Sequence, residues 1–494
     1  MNTVVPRLIS GAFASVAGMA VLEMVRLKGA ALVQQPSLVT MLAACGVLVM
    51  LLGIVGCLLP HRFWEKILSQ GQQIHSALAL PRPMVNHWTG SLLLSGSLVV
   101  YFVVLMNIIP QQPPPDNNDQ AAFLMQAKTV QETGGPVTLL QRLFAGKYTE
   151  ANQHPLYVAL LSYFPNDEAG KRLSAMCGLC ALLIFTMGIT RCYGNLIGGI
   201  TGMLLSINAA YCQLTARIVC EGLLLIFVAG VWLIVLRMPD LRKPSRFPFL
   251  LLMGTGLLLG LAWLTKGTAL LLMLGLILWL CSYAVNWQRW IPAVLQQHPT
   301  DDPAQRTEQK TVPLKRLGLT LALVIASFTV IAAPLLIRNL RVYGSPTFNA
   351  NSYLLFEDEF SEPHALIKQH GSLRNAAQNY WQSHTMTDMI KREIKGMLWQ
   401  AFIFLRSLGP LPFGEGRLFF GLLAFPFLIV GLFSETGPAR RLYLIWMLLF
   451  WLAFAWYLPI AAGERFLIPL LLPSLAFVSL GLVRTGQLLS RRTA

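Results

Sequence analysis

The amino-acid sequence predicts an all-α integral membrane protein with about twelve transmembrane helices. Of its 494 residues, 55% are hydrophobic and only 12% are charged, and the mean hydropathy is +0.58. A soluble domain carries about a quarter charged residues, so the composition excludes that class. Solid apolar runs recur along almost the whole chain, whereas a membrane barrel would alternate apolar and polar residues.

The apolar runs are close to the ~20 residues that one helix needs to cross the hydrocarbon core. The predicted spans cover residues 8–29, 37–58, 89–110, 170–190, 193–211, 215–236, 248–264, 268–287, 317–337, 418–434, 441–460 and 466–483. Glu23, Arg26 and Lys28 close the first run, and another apolar run follows without an obvious cleavage site. We therefore predict that the first run stays in the mature protein instead of acting as a signal peptide.

The spans divide the chain into two parts. Residues 1–88 hold two predicted spans and a cytoplasmic linker, and they form an N-terminal extension. Residues 89–494 form the main transmembrane domain, which includes two long polar segments at 111–169 and 338–417. Long loops in a membrane protein usually have a function.

The basic residues of short loops predict the orientation. Clusters of Lys and Arg occur at 237–246, 288–316, 437–441 and 490–492. The positive-inside rule places all four in the cytoplasm and the two long polar segments outside. Because the formal net charge of +16 is spread over loops beside membrane helices, the expected partners are anionic lipids and not nucleic acid.

Two stretches of the long external segments have apolar residues at helical spacing beside basic ones. Residues 120–150 and 386–412 are therefore predicted to form helices that lie along the membrane interface. The eight cysteines lie within or at the ends of apolar runs, a pattern that does not indicate a disulfide framework. We assign the Cys177–Cys180 pair to core packing and not to metal or redox chemistry.

Ionisable residues from distant parts of the sequence end at the predicted outer membrane surface. The candidate site residues are Asp116, Asp119, His154, Arg217, Glu221, Lys266, Arg338, Arg341, Glu464 and Arg465. A charge beside a membrane helix is costly unless a polar or oppositely charged group meets it, so we expect one external site to gather them.

Each candidate also has an ordinary structural explanation. Asp116 and Asp119 could keep a turn soluble and cap the next helix. Arg217 and Glu221 are four residues apart and could form a local helical ion pair. Lys266, between two apolar runs, could extend towards the headgroups.

A carboxylate loop with several Lys and Arg residues at one membrane surface suits a reaction on an anionic lipid headgroup. The cations would hold a phosphate leaving group, and Asp119 or Asp116 would take a proton from an attacking hydroxyl. The sequence contains no Walker-type phosphate loop and no HExxH zinc motif that would favour a competing chemistry.

At these residues the chain resembles the GT-C membrane glycosyltransferases, specifically the group of protein O-mannosyltransferases and the lipid A aminoarabinose transferase. The segment NDQAAFLMQA (118–127) resembles the DE-A-x-Y-L-x-x-A signature of their first external loop. Further similar marks follow in the same order: HPLY (154–157), ARIVCEGL (216–223), LTKG (264–267), RNLRVYGSP (338–346) and ERFLIPLLLP (464–473).

The resemblance implies a GT-C-type transferase in a bacterial inner membrane that uses a polyprenyl-phosphate-linked sugar and acts on its periplasmic side by inverting displacement. It implies Asp119 as the catalytic base and an acceptor hydroxyl on a lipid, glycan or protein. Gln120 stands where the signature has its Glu, so Asp116 is a candidate second carboxylate, and participation of a divalent metal is left open. The cations Lys266, Arg338, Arg341, Arg465 and Arg217 are donor-phosphate candidates, and His154, Glu221 and Glu464 are supporting ones.

The alternative class is a transporter or flippase of a lipid-linked sugar. Such a protein should place ionisable groups near the bilayer midplane and show broken helices in related halves. The sequence has few charges in the middle of its spans and no evident paired halves, which favours the enzyme. An assembly factor whose basic rim only binds lipid is a third possibility.

Overall fold

A computed structural model describes residues 87–116, 118–239, 241, 248–284, 312–411, 414–435 and 437–493. The predicted spans 8–29 and 37–58 lie outside the described residues. Within these ranges the secondary structure is helical, and one isolated bridge joins Asn208 and Pro410.

The α-helices follow one another from residue 88 to residue 493. They are α1 (Trp88–Ile108), α2 (Asp119–Glu132), α3 (Gly135–Ala145), α4 (Pro155–Leu161), α5 (Asp167–Tyr193), α6 (Asn195–Ser206), α7 (Ala209–Thr215), α8 (Glu221–Leu236), α9 (Phe249–Thr265), α10 (Ala269–Cys281), α11 (Leu314–Tyr343), α12 (Pro363–His370), α13 (Leu373–Ser383), α14 (Met386–Ser407), α15 (Arg417–Ser434), α16 (Pro438–Trp456) and α17 (Glu464–Thr493). Short 3-10 helices occur at Ile109–Gln111, Ala350–Phe356 and Gly414–Gly416.

The described residues include six helices that are long and apolar enough to cross a membrane, namely those of α1, α5, α11, α15, α16 and α17. Four other predicted spans fall on the shorter apolar helices α6, α8, α9 and α10, so the count of twelve spans is not confirmed. One reason is visible in the predicted span 193–211, where α6 ends at Ser206. The side chain of Asn208 accepts a hydrogen bond from the Tyr211 N–H and starts a new helix, α7.

Helix α17 is central and α1 is peripheral among the described helices. In the most apolar part of α17, 89% of the residues are buried, compared with 17% in α1. Gly431 of α15 and Gly481 of α17 allow these two helices to pack closely, because a side chain at either position would overlap a carbonyl of the other helix. The cavity described below is bordered by the start of this central helix.

The two predicted external helical stretches are helical in the structure. Residues 120–150 contain most of α2 and all of α3, and residues 386–412 contain all of α14. Thr385 and Asp388 form a reciprocal capping box that starts α14. Arg392 and Gln400 donate hydrogen bonds to the main chain in the last turn of α16, so α14 packs at that end of the helix. Their placement along the membrane interface stays a prediction.

Candidate active site

Helix α2 presents Asp119 in its first turn. The Asn118 side chain caps this helix by accepting hydrogen bonds from the N–H groups of Gln120 and Ala121. Asn118, and not Asp116 or Asp119, therefore provides the cap. Phe123 then fixes the helix by an edge-on contact with Tyr157 of α4, with 5.1 Å between the ring centroids. The carboxylate of Asp119 is left free of capping and meets Arg465 instead.

Four ionisable side chains from separate parts of the chain form one connected network. Arg465, at the start of α17, donates to the Asp119 carboxylate through a terminal nitrogen and to Glu221 Oε1 through Nε, at 3.0 Å. Lys266 Nζ donates to the same Glu221 oxygen at 2.6 Å. The network joins the starts of α2, α8 and α17 to the turn after α9, as expected from the sequence for Asp119, Glu221, Lys266 and Arg465.

The members of this network differ in exposure. The Glu221 side chain is fully buried and Lys266 is 12% exposed, whereas Arg465 and Asp119 are 34% and 46% exposed. Glu221 is thus a buried anion that holds two cations side by side, because one oxygen atom accepts from both. Such an anion is tolerated in an apolar interior only with partners of this kind.

Asp119, Lys266 and Arg465 line a cavity of about 510 Å³. Its volume lies within the range of small-molecule binding sites. Apolar side chains of α10, α16 and α17 form one part of the wall, and they include Leu271, Phe454 and Phe466. The cavity therefore combines ionic groups with an apolar wall.

His154 lines the same cavity, directly before α4. Burial lowers the pKa of His154 from 6.5 to about 4, and the nearby charges of Arg338 and Lys266 act in the same direction, against a backbone hydrogen bond at Trp263. The imidazole is therefore neutral at physiological pH. Its Nδ1 atom is buried and has no hydrogen-bond partner among the described residues.

The structure places other candidates away from the cavity. Asp116 is exposed and does not line it. Arg217 is also exposed, and its Nε donates to Gln112 Oε1 at 2.8 Å. The local ion pair between Arg217 and Glu221 does not form, because residues 216–220 are not helical and Glu221 faces the buried cations.

Arg338 and Arg341 hold the segment 144–150 and do not line the cavity. Arg338 is 3% exposed, donates to the carbonyls of Tyr148 and Glu150, and lies 5.5 Å from the centre of the Tyr343 ring. Arg341 donates to the Phe144 carbonyl at 2.6 Å. We call these two arginines, Tyr343 and residues 144–150 the loop anchor.

Glu464 precedes Arg465 in the chain but belongs to a different ion network. It pairs with Arg417 at 3.2 Å and lies 3.9 Å from Arg406. These contacts tie the start of α17 to α15 and α14. By fixing the first turn of α17, Glu464 helps to position Arg465. Glu464 itself does not line the cavity.

Sequence reasoning missed the uncharged polar groups of the cavity. Asn152, Asn349 and Asn351 line it, and Asn351 Nδ2 donates to Asn152 Oδ1 at 2.6 Å. Asn152 is two residues from His154 and offered a weak signal. Asn349 and Asn351 lie in the second long polar segment, 338–417, and no motif indicated that this segment reaches the first one, 111–169.

The donor set does not fit a divalent metal. Arg465 lies between the Asp119 and Glu221 carboxylates, and the Glu221 oxygen that faces it already accepts from two cationic groups. No group of three His, Cys, Asp or Glu side chains suited to a metal ion occurs in the part of the chain that the structure describes.

No known protein family matches this chain, and no curated protein matches it. Several solved structures are similar in fold. ArnT from Cupriavidus metallidurans, bound to undecaprenyl phosphate, is 15% identical with a TM-score of 0.41, over 79% of this chain and 59% of that chain. AglB, an oligosaccharyltransferase from Archaeoglobus fulgidus, in complex with an inhibitory peptide and a dolichol-phosphate, is 13% identical with a TM-score of 0.45, over 80% of this chain and 51% of that chain.

Both are GT-C fold membrane glycosyltransferases. This chain spans between 51% and 59% of the length of those two proteins.

Proposed function

We propose that this protein is a membrane glycosyltransferase that moves a sugar from a polyprenyl-phosphate donor to an acceptor hydroxyl, with Asp119 as the general base. One observation supports this most directly: a single cavity is lined by a carboxylate, two cations and an apolar wall. These are the groups required to take a proton, hold a phosphate and accommodate an isoprenoid chain.

The phosphate end of the donor would bind Lys266 and Arg465. Glu221 holds their nitrogen atoms next to each other, so both can approach the oxygens of one phosphate. A buried anion behind them also keeps two positive charges together that would otherwise repel each other. Positioned cations of this kind stabilise the negative charge that grows on the leaving phosphate.

In the proposed step, the Asp119 carboxylate takes the proton of the acceptor hydroxyl. The hydroxyl oxygen forms a bond to the anomeric carbon while the bond from that carbon to the phosphate oxygen breaks. The electron pair leaves with the polyprenyl phosphate. Among the described residues that line the cavity, Asp119 is the one carboxylate, so a single displacement is favoured and the anomeric configuration would be inverted.

The proposed setting is the external, periplasmic side of a bacterial inner membrane. It is supported by the clustered basic residues of the short loops, which belong on the cytoplasmic side, and by the two long segments that supply the cavity. The acceptor would be a lipid, glycan or protein that reaches this side.

The test uses the purified protein in liposomes with donors made of undecaprenyl phosphate and a sugar, and with a membrane extract as the source of acceptors. Release of undecaprenyl phosphate, measured by mass spectrometry, is common to any acceptor. Asp119→Asn should reduce release by about 10²-fold or more. Asp116→Asn is the matched control, because Asp116 lies three residues away, is exposed and does not line the cavity.

Undiminished release by Asp119→Asn would refute its role as the base. Movement of the intact donor between bilayer leaflets, without release of undecaprenyl phosphate, would instead favour the transporter.

A further inference from the structure

The charged groups of the cavity are confined to one part of its wall. Among the described lining residues, Asp119, Lys266 and Arg465 are the charged ones, and they belong to one network. The remaining polar lining consists of amides, hydroxyls and one imidazole. The cavity thus has an ionic part and a neutral polar part.

Glu150 is the charged residue nearest in sequence to the neutral part, but its carboxylate is directed elsewhere. Its Oε1 accepts from the N–H groups of Asn152 and Gln153, at 2.7 and 3.3 Å, and its Oε2 accepts from the Gln126 side chain. These bonds hold the 152–154 backbone in place, and Glu150 does not line the cavity. A ligand at the neutral wall would meet no carboxylate there.

The neutral wall is built by two external segments that meet. Asn152 and His154 come from the first segment, and Asn349 and Asn351 come from the second. Ala350 N–H donates to the Ala151 carbonyl at 3.4 Å, beside the side-chain bond between Asn351 and Asn152. That bond leaves the side-chain nitrogen of Asn152 (Nδ2) and the side-chain oxygen of Asn351 (Oδ1) available to a ligand.

Gly267 brings this wall next to the phosphate-binding lysine. A Cβ at Gly267 would lie 2.6 Å from Asn349 Nδ2 and 3.1 Å from His154 Nε2. The missing side chain therefore lets both polar groups approach the turn that begins with Lys266. A group bound at the wall would be adjacent to a phosphate bound at Lys266.

His154 keeps the wall uncharged. Burial lowers its pKa to about 4, so it carries no charge at neutral pH. The buried Nδ1 atom of the imidazole has no hydrogen-bond partner among the described residues.

We propose that Asn152, His154, Asn349 and Asn351 form the sugar-binding wall and that the donor sugar is an uncharged polyhydroxylated sugar, such as a hexose. This inference rests on the proposed function and adds its substrate class. Amide groups offer both donors and acceptors, as hydroxyls require. At this wall an amino sugar would meet no carboxylate, and a uronic acid would meet no cation other than those assigned to the phosphate, so burial of either charge against the wall is unfavourable.

The experiment measures binding to the purified protein in lipid nanodiscs. Three probes are used: undecaprenyl phosphate without sugar, undecaprenyl-phosphate-linked glucose, and the same lipid linked to a 4-amino sugar. The wild type should bind the glucose donor more tightly than the amino-sugar donor. Asn351→Leu should weaken binding of the glucose donor about tenfold and leave sugar-free undecaprenyl phosphate unchanged. Asn351→Asp, which is nearly isosteric, should shift the preference towards the amino sugar.

Lys266→Gln is the matched comparison, because it should weaken the binding of all three probes. Tighter wild-type binding of the amino-sugar donor would overturn the inference, as would equal losses of sugar-free and glucose-linked lipid in Asn351→Leu. Either result would leave the proposed function intact. Failure of the wild type to bind any of the three lipids would instead reject the proposed function and the inference with it.

Discussion

The loop anchor and the cavity each contain an arginine that the sequence presents in the same way. Arg338 and Arg465 both lie at an end of a long apolar helix and both were expected to bind phosphate. In the anchor, Arg338 is 3% exposed and donates to main-chain carbonyls. In the cavity, Arg465 is 34% exposed, pairs with two carboxylates and lines open space.

The partners of each arginine explain the difference. Carbonyl oxygens of residues 148 and 150 fix the path of a loop, and the guanidinium that binds them is enclosed by Tyr148 and Tyr343. An arginine that pairs with carboxylates at a cavity wall can instead bind an incoming phosphate, because a guanidinium can donate two parallel hydrogen bonds to either anion. The anchor therefore shapes the site, and the cavity is where we propose that the ligand binds.

The largest expected effect is at Glu221, which holds the two cavity cations together. Glu221→Gln removes the buried anion and leaves Lys266 and Arg465 less well compensated. Breaking a buried ion pair costs about 3–5 kcal/mol, so we expect a loss of that size in the free energy of unfolding in detergent. Glu168→Gln is the control, since Glu168 pairs with Arg172 on the surface with both side chains 71% exposed, and it should cost less than about 1 kcal/mol. Equal stabilities of the two variants would show that the buried network does not hold the helix starts together.

The second prediction separates the two arginines. Arg338→Met should lower the free energy of unfolding by about 2–3 kcal/mol, because two carbonyls lose a charged donor. Binding of sugar-free undecaprenyl phosphate per folded molecule should stay unchanged. Arg465→Gln should reduce that binding at least about tenfold. Comparable losses of binding in both variants would remove the distinction between anchor and cavity.

The third prediction concerns pH and the wall of the cavity. The pKa of His154 is near 6.5 in the unfolded chain and about 4 in the folded protein, so the unfolded state binds the proton more readily. Stability from this group is complete above pH 6.5 and is lost as the pH falls towards 4. The His154 residue as a whole is half-buried, so we expect a loss of about 2 kcal/mol in the free energy of unfolding. Unfolding of wild type and His154→Asn, measured from pH 7.5 to 4.5, should show a steeper loss of stability in the wild type, and parallel curves would contradict a lowered pKa at His154.

The sequence was sufficient for the parts of the fold that depend on hydrophobic runs. Each predicted span that falls on described residues contains a helix, and the stretches 120–150 and 386–412 contain the helices Asp119–Glu132, Gly135–Ala145 and Met386–Ser407. Span number was less predictable, because a hydrophobic run does not show where the helix ends. Asn208 interrupts one run with a side-chain cap, and the resulting helix α6 has 12 residues.

The candidate site shows the same limit at the level of side chains. Asp119, Glu221, Lys266 and Arg465 converge as expected, since charges at the ends of apolar helices must find partners near the same surface. The sequence could not distinguish Arg338 from Arg465, because that difference depends on which loop packs against each helix end. It also could not indicate Asn349 and Asn351, whose role depends on contact between segments about 200 positions apart.

The smallest expected effect is at Gln120, which stands where the glycosyltransferase signature has a glutamate. Gln120 is 6% exposed, and its Oε1 accepts a hydrogen bond from the Ile218 N–H at 3.0 Å, which fixes the turn before Glu221. Gln120→Ala leaves that N–H without its partner and should cost about 1 kcal/mol in the free energy of unfolding. Gln120→Glu keeps the acceptor and should lose less. If Gln120→Ala unfolds like the wild type, the side chain does not position the turn, and the departure from the signature at this residue has another cause.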